Sequence, residues 1–400
     1  MINFKQYNTM TKCVIPNNVS LTSTDFNGAF YSMNSLKVAH IPDSVTNMNN
    51  TFGYCYNLTG SPMCGDEVTD MSGAYKNCWN LTGSPVCGKS VKDMSYAYAN
   101  CWNITNQPVC GDSVTNMTSA YYNCTNLTGS PVCGNSVINM DSAYDNCYNL
   151  TGSPVCGDNV TSMSSTYYHC NNITGSPVCG DNVTNMTHTY GFCYNLTGSP
   201  VCGDNVTSMA YTYRSCFQIT GSPVCGDNVT NMASTYQSCY NLTGSPVCGN
   251  NVTNMNGTYY YCYNLTGSPV CGDKVTDMYN AYYNCANLTG SPVCGNSVTK
   301  MANTYYNCRN LASNAYFYSR VVSNVRNCFY NRNTSKRLNI YAVVDSNTMS
   351  SLLCTNTRSL FGASVAWTND MANGCYYNIT KNVYIYPVTD VDAARAANGD

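Results

Sequence analysis

Apolar and polar positions recur along most of the chain with a period of 23 residues. In each period an aromatic residue lies three places before a cysteine, a leucine or isoleucine lies three places after it, and a valine and a methionine follow. The unit first recurs in clean form from Ala74 and contains Cys78, Leu81, Val91 and Met94. A fixed period in this range is the signature of a solenoid, whose copies bury their apolar positions against one another. The pattern therefore predicts a single elongated core.

The first cysteine of the unit marks the turns, because its spacing never slips. It recurs at Cys55, Cys78, Cys101, Cys124, Cys147, Cys170, Cys193, Cys216, Cys239, Cys262, Cys285 and Cys308. Stacked turns place equivalent residues about 4.8 Å apart, which is the spacing of neighbouring strands. We therefore expect a repeat solenoid of about 12 turns, each touching only its neighbours.

Two further columns of the repeat have a structural interpretation. The aromatic column begins at Phe52 and continues as tyrosine from Tyr75 to Tyr305, which predicts stacked core rings whose hydroxyls need partners at the edge of the core. The asparagine column starts at Asn57 and extends to Asn287, with Gln218 in one copy. Amide side chains there can satisfy backbone groups of the adjacent turn.

The turn over 29–48 reads Ala-Phe, then Leu36, then Ile41-Pro and Ser-Val45. This order is similar to the leucine-rich repeats of BspA-like bacterial surface proteins, whose pattern is Ala-Phe-x-x-Cys-x-x-Leu-x-x-Ile-x-Ile-Pro-x-Ser-Val. The Val-Thr-Asn-Met run also resembles the related 26-residue bacterial surface-protein repeats. The resemblance spans roughly 29–311 and implies a leucine-rich repeat with one short strand per 23-residue turn. It also implies a non-catalytic surface protein.

The copies depart from that family pattern from Thr51 onward. Ser61-Pro-Met-Cys-Gly, and Ser-Pro-Val-Cys-Gly in later copies, replaces Ile-x-Ile-Pro. The predicted strand then has a smaller inner face, although Leu58, Met63 and Val68 still recur as apolar columns.

Both ends of the chain differ from the repeat, as the closing turns of a solenoid usually do. We predict an N-terminal cap over 1–28, a leucine-rich repeat solenoid over 29–311 and a small α+β C-terminal cap or domain over 312–400.

Within the C-terminal region, apolar runs predict strands over 338–344 and 383–387 and helices near 347–353 and 391–397. The run from Trp367 through Cys375 resembles the ends of repeat proteins encoded by phages of gut Firmicutes. That likeness implies that the chain could be a phage-encoded member, and it assigns no functional residue.

The 27 cysteines form two columns and four outliers. The first column stands where a core residue belongs, and a buried free cysteine behaves as a small hydrophobe, so we expect reduced, buried thiols there. The second column, Cys64 through Cys294, is also expected to be free, with disulfides left open. Spacings of nine and fourteen residues match no zinc pattern. The sequence therefore predicts no metal site and no cofactor.

The amino-acid composition argues against several classes of function. Only 10% of residues are charged and the formal net charge is −2, which lacks the basic footprint needed for a nucleic-acid partner. Three isolated histidines, at His40, His169 and His188, argue against an enzyme, which needs convergent titratable groups. No apolar run is long enough to cross a membrane. The start of the chain does not read as a signal peptide, so export by another route, a larger particle or a missing leader stay open.

Variation between the copies points to a surface. Copies differ at the two residues before the first cysteine, at the residue after it and at the two residues after the methionine, so we expect these positions to face solvent. Aromatic residues there give large contact area at low entropic cost. The predicted binding residues are Tyr56, Trp79, Trp102, Tyr148, Tyr194, Phe217, Tyr240 and Tyr263.

These features predict a recognition or adhesion protein displayed outside the cell or on a virion, with a phage tail or fibre component as one form of it. Its partner would be a host-surface protein or glycan, or further copies of the chain. The alternative is a purely structural fibre subunit, in which the invariant face packs against itself. A simpler explanation of the aromatic residues after the first cysteine, that they only shield the edge of the core, also stays open.

Overall fold

The computed structural model describes residues 3–343, 352–353, 359–362 and 364–400. The chain divides into two units, Met1–Thr197 and Gly198–Asp400. In the first unit a 3-10 turn over Lys5–Tyr7 precedes two parallel strands, β1 (Lys12–Val14) and β2 (Val38–His40).

The second unit contains the remaining regular elements of the described chain. They are β3 (Val293–Cys294), β4 (Asn314–Phe317), β5 (Leu338–Val343), β6 (Thr368–Asp370), β7 (Cys375–Asn378), β8 (Val383–Val388) and α1 (Val391–Ala397).

Successive turns pair in parallel at the residue before each methionine. In the first unit this ladder runs from Asp25 to Asn185, and in the second from Ser208 to Asn324. One pairing site per period is the architecture of a repeat solenoid, as the sequence predicts. The pairing is shorter than the expected strand, because in most turns a single residue makes it.

The segment from methionine to cysteine explains why the pairing stays short. In one turn the N–H groups of Met71, Gly73 and Tyr75 donate to carbonyls of the next turn at 2.8–2.9 Å, while the N–H of Ala74 donates back to Met71. This alternation requires left-handed backbone twice per turn, at Gly73 (φ 61°) and Asn77 (φ 62°). The chain therefore turns continuously where an ordinary strand would extend.

The core of each unit consists of the predicted columns. The repeated valines, methionines, leucines, first cysteines and tyrosines are buried, and Tyr75 through Tyr305 are almost fully enclosed. Adjacent rings stack with centroids 5.5 Å apart at Tyr75–Tyr98 and 5.7 Å apart at Tyr282–Tyr305. The column that starts at Met63 is the exception, since its members are half-buried apart from Val293.

The core tyrosines from Tyr75 to Tyr282 close a loop with their hydroxyls. Tyr98 Oη donates to the Val86 carbonyl at 2.6 Å and accepts from the Val86 N–H at 3.0 Å, and Tyr144 does the same with Val132. These bonds satisfy the hydroxyls at the edge of the core as expected. They also fix the Ser-Pro-Val-Cys loop without any strand.

At the end of the second unit, a β-sheet replaces the loop that the tyrosine hydroxyls bind in the earlier turns. There Val293 belongs to β3, which starts a six-stranded sheet in the order β3-β4-β5-β8-β7-β6. β3, β4, β5 and β8 pair in parallel, and β7 pairs antiparallel with both β8 and β6. Tyr305 Oη, whose equivalent partner would be Val293, is buried without a hydrogen-bond partner.

The predicted C-terminal strands are confirmed at β5 and β8, and the predicted helix over 391–397 is α1, which Asp390 caps by accepting from the Ala393 N–H. The helix predicted near 347–353 lies outside the described residues apart from Leu352 and Leu353. Turn-to-turn pairing already involves Asp25 and extends to Asn324, so the boundaries at 28 and 311 stay predictions.

Candidate functional site

The residue after the first cysteine builds a stacked aromatic column in the first unit. Tyr56 stacks on Trp79 with ring centroids 4.2 Å apart, and Trp79 stacks on Trp102 at 5.1 Å with an angle of 2° between the rings. Trp102 is 40% exposed, whereas Tyr56 and Trp79 are half-buried. The structure therefore brings three of the predicted binding residues into one continuous stack.

The second unit contains a matching stack. Phe217 and Tyr240 lie 5.1 Å apart, and Tyr240 and Tyr263 lie 5.5 Å apart. Tyr263 is 41% exposed. Ala286 occupies the next position along the column, as Thr125 does after Trp102, so each stack is followed by a small residue.

The two remaining predicted residues stand outside these stacks. Tyr148 is exposed and donates its hydroxyl to Asn146 Oδ1 at 2.9 Å. Tyr194 is half-buried and lies edge-on to Phe192 at 6.3 Å.

Asparagine amides bind the backbone of the aromatic residues that follow the first cysteine. Asn103 Nδ2 donates to the Trp79 carbonyl at 2.9 Å, and Asn264 Nδ2 donates to the Tyr240 carbonyl at 2.9 Å. The amide column thus satisfies backbone acceptors of the neighbouring turn, as the sequence predicts. It also fixes where each aromatic side chain leaves the turn.

Strained backbone accompanies three of the predicted binding residues. Tyr54, Phe192 and Tyr261 have φ values of 62°, 64° and 64°, in the left-handed region that costs a bulky residue about 1–2 kcal/mol. The ring of each contacts the predicted binding aromatic two residues later, at centroid distances of 6.2, 6.3 and 5.7 Å. Asparagine or serine fills this position in most other turns at lower cost.

The expectation that every variable position faces solvent is wrong in detail. Most side chains two residues before the cysteine, or just after the methionine, are half-buried, and several such as Ala210 and Ala302 are buried. The reason is the tight turn geometry, which folds these residues against the adjacent copy. The position after the cysteine contains the largest share of exposed rings.

Sequence reasoning missed a third aromatic stack in the second unit. Tyr260, Tyr283, Tyr306 and Tyr330 stack with successive centroid distances of 4.8, 4.3 and 4.7 Å. The first three lie two residues before a cysteine. Reading this variable column for aromatics, and not only for variation, would have found them.

Sequence reasoning also missed Asp145, in the same column of the first unit. Its side chain is 8% exposed, and Oδ1 is buried with no hydrogen-bond partner. Burial raises the pKa of this carboxyl to about 7. One acidic residue in a column of mostly neutral ones gives little signal in the sequence, because its burial depends on the side chains around it.

The thiols of the first cysteine column are free and buried. Cys101 Sγ donates to the Tyr75 carbonyl at 2.9 Å, and burial raises the pKa of Cys55 to about 12. The second column is also free and mostly half-buried, and burial raises the pKa of Cys110 to about 12. Neither column supplies the lowered pKa of a reactive thiolate.

Within the described ranges, no group of three or more histidine, cysteine, aspartate or glutamate side chains is placed to hold a metal ion. The same ranges contain no helix with the length and apolar character needed to cross a membrane. The arrangement offers aromatic surface, amides and one buried carboxyl for non-covalent contact.

Comparison with solved structures supports the fold. A leucine-rich repeat protein from Bacteroides ovatus ATCC 8483 aligns over 90% of this chain and 92% of its own, with a TM-score of 0.51 and 14% identity. A leucine rich cell surface protein from Faecalibacterium prausnitzii A2-165 aligns over 76% of this chain and 86% of its own, with 18% identity and a TM-score of 0.38, too low to support a conclusion. No protein-family model and no curated protein matches the sequence.

Proposed function

We propose that the chain is a non-catalytic recognition protein that acts at a bacterial or virion surface and binds a host or partner molecule through its aromatic stacks. The observation that carries this proposal is the pair of stacks built from Tyr56, Trp79 and Trp102 in one unit and from Phe217, Tyr240 and Tyr263 in the other. Each ends in a ring about two-fifths exposed. Large rigid aromatics of this kind are enriched in binding surfaces.

Two further observations favour recognition over simple shielding of the core. The core tyrosines stay enclosed even in turns where a small residue follows the cysteine, as with Tyr121 beside Thr125 and Tyr282 beside Ala286, so an aromatic residue at that position is not needed to cover them. Bulky residues also keep a strained backbone beside three of the predicted binding aromatics. Strained residues of this kind cluster at ligand-binding and other functional sites.

The test uses Trp79→Ala combined with Trp102→Ala. We expect adhesion of the purified chain to cultured epithelial cells to fall at least tenfold, because truncation of a binding hot spot typically costs about 2 kcal/mol or more. Tyr7→Ala, which removes a ring that is 51% exposed outside the stacks, is the control and should adhere like the wild type.

Two results would contradict recognition by the stacks. Unchanged adhesion with a lowered melting temperature would leave both tryptophans structural. Light scattering that shows the free chain assembling into long polymers at micromolar concentration would favour the structural fibre subunit.

A further inference from the structure

The structure points to a cation subsite on the first unit. We propose that Asp145 and the tyrosines around it receive the ammonium group of a lysine side chain from a partner protein. This inference rests on the proposed recognition function and names a chemical class of partner for one part of the surface.

The first observation is a buried carboxyl group with one oxygen that has no hydrogen-bond partner. Asp145 is 8% exposed and its Oδ1 has no hydrogen-bond partner. Other aspartates on this side of the turn are engaged: Asp70 Oδ1 accepts from the Ser72 N–H at 2.8 Å, and Asp141 Oδ1 accepts from the Ser164 N–H at 2.9 Å. A buried acceptor without a partner is costly, so a donor supplied from outside would relieve that cost.

The second observation is the aromatic frame around this carboxyl. Tyr122 and Tyr168 occupy the equivalent position in the turns before and after Asp145. Tyr148 lies close enough that burial, and then the charge of Asp145, raise the pKa of its hydroxyl. Tyrosine rings attract a cation through their π faces. A carboxylate among tyrosines suits an ammonium group better than it suits a neutral donor.

The third observation is the charge of the surrounding sequence. No lysine or arginine occurs between Lys92 and Arg214. Within 93–197 the chain contains Asp93, Asp112, Asp141, Asp145, Asp158 and Asp181. The only histidines of this stretch are His169 and His188, and burial lowers the pKa of His169, which disfavours its charged form. The segment therefore supplies no internal counter-ion for Asp145 and attracts cations from solution.

Access favours lysine over arginine. The carboxyl is reached only through its small exposed fraction, and Oδ1 is buried. A guanidinium group binds best when it can face both carboxylate oxygens in one plane. An ammonium group at the end of a thin alkyl chain can bind one oxygen in a narrow opening.

The experiment titrates the full chain with the peptide acetyl-Gly-Lys-Gly-amide and monitors binding by calorimetry. We expect saturable binding that weakens at least tenfold in Asp145→Asn and in Asp145→Ala. The alanine variant is safe for folding because Ala99 occupies the equivalent position in another turn. The matched control is Asp158→Asn, which removes an exposed charge at a position where the preceding turn has Asn135, and it should bind like the wild type.

Three outcomes would overturn the proposal. They are absence of binding to the wild type, equal binding by the wild type and Asp145→Asn, and equal or tighter binding of the matching peptides with acetyl-lysine or arginine. Failure here is separate from failure of the recognition function. If the tryptophan variant keeps full adhesion while the lysine peptide still requires Asp145, the stacks are not the adhesive surface and the cation subsite stands.

Discussion

The invariant loop of the repeat and the variable segment from methionine to cysteine contact the adjacent turn in different ways. In the loop Thr-Gly-Ser-Pro-Val-Cys-Gly, exposed residues stay constant because side chains of one turn are fitted to the next. A Cβ on Gly83, for example, would overlap Ser61 Oγ. In the segment from methionine to cysteine the backbone makes the bonds between turns, so side chains are free to differ. Constancy at the surface therefore reflects packing, and under the proposed function the variable segment is where a partner binds.

One turn shows how strict the loop is. Asn106 replaces its glycine and keeps a left-handed backbone with φ 67°. Its Nδ2 donates to Ser84 Oγ at 2.8 Å in the preceding turn. Asparagine tolerates this conformation better than other residues with a side chain, so the exception preserves both the shape of the loop and its contact with the adjacent copy.

The largest loss of stability should come from a deletion that shifts the repeat out of register, because it disrupts the loop and the variable segment together. Deleting 147–169 removes one whole period and should leave a protein that still unfolds cooperatively, because each turn contacts only its neighbours. Deleting ten residues from Cys147 should place polar residues in the core columns and abolish the cooperative transition. Circular dichroism during thermal unfolding compares the two. Equal tolerance of both deletions would contradict the solenoid.

Gly152→Ala should be the most harmful single substitution in the loop. Its φ is 81°, and the added Cβ would overlap Ser130 Oγ. We expect a loss of about 2 kcal/mol or more in the free energy of unfolding. Ser142→Ala is the control in the variable segment, because Ser142 already carries a side chain at φ 53°. Urea unfolding measures both, and equal losses would remove the distinction between the two regions.

Tyr144→Phe tests the bond by which the core holds the loop. The variant loses the hydroxyl that binds both the N–H and the carbonyl of Val132, so we expect a loss of about 1–3 kcal/mol in the free energy of unfolding. Tyr122→Phe, at a half-buried variable position, should change it by less than about 0.5 kcal/mol. A Tyr144→Phe protein as stable as the wild type would show that the loop keeps its conformation without the tyrosine hydroxyl.

Asp145 should make stability depend on pH in the variable segment. Its pKa is about 7 when folded, against about 3.9 when unfolded. The folded state therefore binds more protons between these values, and stability falls as pH rises from 4 through 7. The conversion of about 1.36 kcal/mol per pKa unit sets an upper limit near 4 kcal/mol. After allowing for water access, we expect about 1–2 kcal/mol.

The difference in the free energy of unfolding between Asp145→Asn and the wild type isolates the contribution of Asp145. The other titratable groups nearby are present in both proteins, namely His169, Tyr148, Cys147 and Cys170. Denaturant unfolding at pH 5 and pH 8 should show the variant gaining stability relative to the wild type at the higher pH. A constant difference across that range would mean that the carboxyl is ionised normally in the folded protein.

The columns show how far the sequence determines this structure. Period and residue type predict the fold class, the stacked tyrosines and the buried first cysteines, because each depends on contacts between equivalent residues. The helix α1 lies outside the repeat and is predicted from its own local sequence. The tyrosine hydroxyl bond to Val132, the continuous stack of Trp79 on Trp102 and the isolation of Asp145 could not be predicted. These features depend on the path of the turn, which left-handed residues such as Asn77 control and which no apolar pattern records.

The division between a packing surface and a binding surface can be tested by hydroxyl-radical footprinting of the chain, free and bound to cultured epithelial cells. Trp102 and Tyr263 report on the aromatic stacks, and Cys110, which is half-buried within the loop, reports on the packing surface. The account predicts that binding slows oxidation of Trp102 and Tyr263 several-fold and leaves oxidation of Cys110 unchanged. Protection of Cys110 with undiminished oxidation of Trp102 and Tyr263 would contradict it.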